Sequence, residues 1–238
     1  MLPFLVATTI AAFAAAIVLA LGGSASPAAI AHAAFAAGVL PLIFGAMLHF
    51  VPVLTRGRGA GRSVQALPLG MLAAGLVAAT AFLLPAFYTA GIPLAALAGL
   101  TLALVMAGWI VRRGRAALGA PHAGLRWYLA AVLCLVLALA AAGAIGVLPE
   151  QRAALRLLHL HLNTLGFVGL TALGTLAVLL PTAAGRPDPD AAGWLRNKLA
   201  LKGGHTPHAA TRYWLLAGTL LAAAIAGTTA WEFVNPVS

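Results

Sequence analysis

Residues 125–148 read LRWYLAAVLCLVLALAAAGAIGVL. One formal charge, Arg126, stands at the start of the stretch, and Pro149 closes it. A helix that crosses the hydrocarbon core of a bilayer needs about 20 predominantly apolar residues. This stretch meets that length and reads as a membrane span. It also holds the single cysteine, Cys134. One cysteine allows no disulfide within the chain and no zinc cluster. There is no Cys-x-x-Cys-His either, so any haem would be held by side-chain ligands and packing alone.

Six further runs of the same kind flank it, bounded by Gly, Pro and Arg. They cover 3–21, 28–54, 67–88, 93–111, 153–180 and 213–233. Thr89-Ala90-Gly91 is the expected turn between the third and fourth. The whole chain agrees with this reading: 63% of it is hydrophobic and 8% charged, with a mean hydropathy of +1.02. A soluble domain carries roughly 25% charged residues. The expectation is an all-α, polytopic membrane bundle of about seven helices, one domain over 1–238. A soluble enzyme, a secreted disulfide scaffold and a nucleic-acid-binding domain are excluded. The formal charge of +10 reads as loops held on the cytoplasmic side. The loops after runs two, four and six carry every Lys and Arg except Arg152 and Arg156. The positive-inside rule then puts the N-terminus inside and the C-terminus outside, in a bacterial-type inner membrane. The first twenty residues imitate a signal peptide, with Ser24-Ala25-Ser26 as a small-residue site. They lack its positive start, so they read as a retained first helix.

Three secondary features bear on function. In the 183–212 loop, Trp194, Leu195 and Leu199 alternate with Arg196, Lys198 and Lys202, which suggests a short helix in the headgroup layer. Gly166, Gly169 and Gly174 smooth one face of run six for close helix packing or for a flat ligand. No acid lies within the hydrocarbon part of a span, Glu232 falling on the outer side at the end of the seventh run, which disfavours a carboxylate proton relay.

Seven histidines remain for chemistry. An ionisable side chain inside a membrane is costly and so suggests function. His32 lies about one turn into run two, and His159 and His161 about two turns into run six. Both runs descend from the outer side, so the three share a depth. His49 comes 17 residues after His32, about 25 Å further along a helix. It belongs at the inner surface as an interfacial residue. His122, His205 and His208 read as solvated loop residues. His159 and His161 diverge by about 200° around their helix, so they serve different neighbours. Neutral imidazoles from facing helices suit haem iron. Arg152 and Arg156, just above the pair, are placed to meet its propionates.

The segment His159-Leu160-His161-Leu162-Asn163-Thr164-Leu165-Gly166-Phe167-Val168-Gly169, running on to Leu180-Pro181, resembles the tenth helix of the heme-copper oxidase catalytic subunit. The likeness is to the C-type and nitric-oxide-reductase branches. His32 through His49-Phe50-Val51-Pro52 looks like that family's second helix, and the whole also resembles the NnrS proteins. The resemblance implies that His32 and His161 clamp a low-spin haem. It makes His159 the proximal ligand of a second, high-spin haem. The family's copper site needs three further histidines, and runs three, four, five and seven contain none.

The sequence therefore points to a haem b protein that transfers electrons, or that binds or reduces a gas such as nitric oxide, with a redox partner and a possible oligomeric state left open. Competing classes are a haem-free copper-handling protein and a non-catalytic subunit or assembly factor. Few methionines and one cysteine count against a Cu(I) route.

Overall fold

The computed structural model describes residues 1–117 and 119–185, with 223, 227 and 230. The headgroup helix around Trp194, His205, His208 and, apart from those three positions, the seventh run lie outside the described residues. Among the described residues the structure is helical throughout, and six helices are long and apolar enough to cross a membrane. They are α1 (Leu2–Leu21), α2 (Pro27–Leu54), α3 (Arg62–Leu83), α4 (Pro85–Arg115), α5 (Gly124–Ala144) and α6 (149–183, whose apolar span is Pro149–Leu180).

The expected break at Thr89-Ala90-Gly91 is not one. The chain turns earlier, at Leu84, which is extended (φ −114°, ψ 97°), and Pro85 starts α4 as its first residue. A proline fits the first helical position because its missing N–H would have no intrahelical partner there. Pro93, expected to open the fourth span, instead lies inside α4. Membrane helices tolerate such a proline when neighbouring groups satisfy the freed carbonyl.

Helices adjacent in sequence pack against one another from α1 to α6, and the lower half of α2 also reaches α5. The core lies where α2, α4, α5 and α6 converge. Phe44, Met47, Met106, Ile110, Tyr128 and Phe167 are fully buried there. Phe44 and Phe167 join α2 to α6 with ring centres 6.1 Å apart.

Two interruptions of the α-helical pattern position the site. Residues His32–Val39 of α2 and Leu162–Gly169 of α6 are π-helical. In the first, the Leu40 N–H reaches back five residues to the Phe35 carbonyl. Such wide turns are rare and concentrate at functional sites. Neighbours brace the first stretch. The Thr9 hydroxyl of α1 lies 3.0 Å from the Gly38 carbonyl. Gly75 of α3 sits so close that a Cβ there would run into the Ala36 carbonyl. The smooth face of α6 is used for packing. A Cβ on Gly166 would come 2.9 Å from Cys134 Sγ, and one on Gly174 3.0 Å from Trp127 Cβ.

The arginine-bearing end is tied together by its loops. Arg113 donates to the Arg58 carbonyl and, at 2.7 Å, to the Gly59 carbonyl, with its guanidinium 5.6 Å from the Trp109 ring centre. The His122 N–H donates to the Leu54 carbonyl at 2.9 Å. The His122 ring is half-buried, and its Nδ1 accepts from the Gly124 N–H at 2.9 Å. His122 is therefore tied to the first residue of α5 and to the end of α2, in place of the solvated loop position expected for it. His49 is exposed, edge-on to Phe50.

Candidate metal centre

His32 opens the π-helical stretch of α2, and its Nδ1 lies 2.8 Å from the Ala28 carbonyl one turn above. His159 stands on α6 just before the second π-helical stretch. Its Nδ1 lies 2.9 Å from the Ala138 carbonyl of α5. A carbonyl oxygen can only accept, so Nδ1 carries the proton in both rings. The His32 Nε2 is left with its lone pair, and that of His159 lies 3.4 Å from the Asn163 amide nitrogen. Metal-bound histidines are oriented in this way, with the outer nitrogen donating to a carbonyl or carboxylate.

The two rings face each other. Their centres are 6.2 Å apart and their planes agree within 11°. Two imidazoles that share one metal ion through the lone pairs lying in their ring planes have centres roughly 6 Å apart; here the rings are stacked, so a shared ion requires them to turn edge-on to it. Phe82 of α3 lies against His32, with centres 4.4 Å apart, and Tyr88 of α4 stands edge-on to Phe82. On the other side, the Asn163 amide donates to the His159 carbonyl at 2.8 Å and comes within 3.4 Å of the His159 ring nitrogens.

This ring contact differs from the ligand pairing implied by the resemblance. His32 meets His159, not His161. The reason is rotation about α6: two residues further on, the side chain of His161 leaves on the far side. His161 is half-buried, and its Nδ1 is buried without a hydrogen-bond partner among the described residues. Arg152 and Arg156 are exposed. With His159 and Asn163 they follow a three-and-four-residue spacing, which puts all four along one stripe of α6.

Sequence reasoning missed the two carbonyls, Phe82 and the role of Asn163. Backbone carbonyls of alanines carry no sequence signal. Asn163, one turn from His159, was legible as a neighbour but not as its support.

No known protein family matches the chain, and no solved structure matches it. Two curated proteins are similar over 49 residues. One is the methylamine utilization ferredoxin-type protein MauN of Paracoccus denitrificans (strain Pd 1222), 59% identical. The other is the protein of the same description from Methylorubrum extorquens (strain ATCC 14718 / DSM 1338 / JCM 2805 / NCIMB 9133 / AM1), 53% identical. Each similarity covers 21% of this chain and 17% of the relative, so the chain spans about a sixth of the length of the proteins it matches.

Proposed function

We propose that this chain is a haem b protein of a bacterial inner membrane that transfers electrons through a bis-imidazole site between His32 and His159. The observation that carries the reading is the facing pair: parallel rings 6.2 Å apart, each fixed through Nδ1 to a backbone carbonyl. The donor set suits a porphyrin better than a bare ion. A structural zinc takes four protein ligands, and no group of three or more His, Cys, Asp or Glu side chains converges among the described residues. Haem needs only two, because the macrocycle supplies the rest.

Haem supplies reversible one-electron chemistry, and the chain's own residues set its terms. His32 and His159 would hold the group through their Nε2 atoms, and a group held by two protein imidazoles would serve electron transfer in preference to binding a gas. Ala28 and Ala138 fix the tautomers and ring angles, and Asn163 steadies the backbone at His159. Arg152 and Arg156 give the stripe its cations for propionates. His161, on the opposite face, is the candidate ligand for a second haem. The fuller reading keeps seven spans with the N-terminus inside and the C-terminus outside, and descent from the heme-copper oxidase catalytic subunit. The MauN relatives are described as ferredoxin-type, which suits a redox setting. A ferredoxin cluster takes four thiolates, and this chain has one cysteine.

The test is spectroscopic. The full chain, expressed with ample haem and purified in detergent, should show the sharp reduced α and β bands of low-spin haem. His32→Ala and His159→Ala should each abolish them, and His161→Ala should keep them. A colourless protein refutes the reading, and copper in place of haem moves the site to copper handling. Loss in His161→Ala with retention in His159→Ala restores the pairing implied by the resemblance.

A further inference from the structure

The arginine-rich end of the bundle contains a feature that the histidine site does not use. Where α4 ends and α5 begins, a cleft of about 200 Å³ opens between them. Its walls are Ile110, Val111, Leu125 and Leu129, and Arg115 and Arg126 stand among its lining residues. Both arginines are exposed. Arg113, by contrast, is occupied with loop carbonyls and Trp109. No side-chain hydrogen bond or ion pair engages Arg115 or Arg126 among the described residues, whose only acid, Glu150, stands in the first turn of α6 at the opposite end. Trp109 and Trp127 lie within three residues of cleft-lining positions. Trp127, half-buried beside Arg126, is of the residue type enriched at the headgroup boundary.

We propose that this cleft binds an anionic phospholipid, with an acyl chain along the α4 and α5 walls and the phosphate between Arg115 and Arg126. The two halves of the site demand this combination. A soluble phosphate compound would leave the apolar walls wet, and a neutral lipid would leave two guanidiniums without a counter-charge. Basic pockets between membrane helices recognise anionic headgroups on these terms. Arginine also matches phosphate better than lysine, because its planar fork donates two parallel hydrogen bonds.

The experiment is native mass spectrometry of the full chain in mild detergent, titrated with dioleoyl phosphatidylglycerol or with phosphatidylcholine of the same chains. The wild type should retain phosphatidylglycerol preferentially. Arg115→Gln with Arg126→Gln should weaken that binding about 25-fold, or about fivefold for each charge lost near the membrane surface. Phosphatidylcholine binding should not change. Leu129→Trp, which fills the cleft and keeps both charges, should also weaken phosphatidylglycerol. Arg62→Gln, a charge at the same end outside the cleft, should leave it intact. The proposal is overturned if the double variant binds as the wild type does, or if Arg62→Gln weakens binding equally. It is also overturned if glycerol phosphate displaces the lipid at matched concentration, which would mark a site for free anions.

Discussion

Gly75→Ala is the sharpest test of how the histidine site is held. In α3, Gly75 lies against the π-helical stretch of α2, and an added Cβ would meet the Ala36 carbonyl and come 2.8 Å from the Ala37 nitrogen. Those atoms are backbone, so no rotamer change relieves the contact, and the helices must separate. Overpacking of this kind costs about 1–3 kcal/mol. Alanine's better helix propensity works in the other direction by about 1 kcal/mol. Gly143→Ala isolates the packing cost, because Gly143 is also helical and exposed and a Cβ there meets nothing within 4 Å. At roughly 2–4 °C per kcal/mol for a chain of this size, Gly75→Ala should melt about 2–12 °C below Gly143→Ala. Cys134, the single thiol, packs against Gly166 and reports unfolding through a thiol-reactive dye. Equal melting temperatures for the two variants would refute the close approach of α3 to α2. So would a Gly75→Ala variant that stays stable and keeps its full haem content.

Three further outcomes are expected. Tyr128→Phe and Thr175→Val each remove a 2.8 Å hydroxyl pair between α5 and α6. Chemical unfolding of the single and double variants should give a coupling near 0.6 kcal/mol, the scale measured for such bonds in membranes. His122→Ala should lower stability by about 0.5–1.5 kcal/mol through the lost hydrogen bond to the Gly124 N–H while leaving the haem spectrum unchanged; loss of haem would make His122 a ligand. Arg152→Gln with Arg156→Gln removes positive charge near the proposed haem, which disfavours the reduced state. A redox titration should show the midpoint falling by on the order of tens of millivolts, and an unchanged or raised midpoint would remove the two arginines from the site.

Apolar run length was enough to find the described helices, because the bilayer length requirement leaves few alternatives. The turn between the third and fourth helices was misplaced for a physical reason. Gly91 and Pro93 read as breakers, but Gly91 is buried where α4 approaches Ala81 of α3, and Pro93 is tolerated within the helix. Shared depth brought His32 and His159 into view, since counting residues along a helix gives height well. Azimuth was harder. Which of His159 and His161 faces His32 depends on the rotation of α6, and no residue type announces a π-helical turn. The supports of the site, two alanine carbonyls, are invisible in any one-letter code.

The π-helical stretches give the site slack in chain length. Each widened turn is equivalent to one residue inserted into an α-helix. Deleting one residue between Ala33 and Ala37 would let α2 close into a regular helix with its lower half still seated in the core. The segments above and below would keep their azimuths, so the His32 ring would still turn toward His159. Outside a widened turn nothing absorbs the change, and one residue lost there swings everything beyond it by about 100°. The facing of the two imidazoles is thus written in the indexing of the chain, with one residue of slack in each of the two helices that carry them.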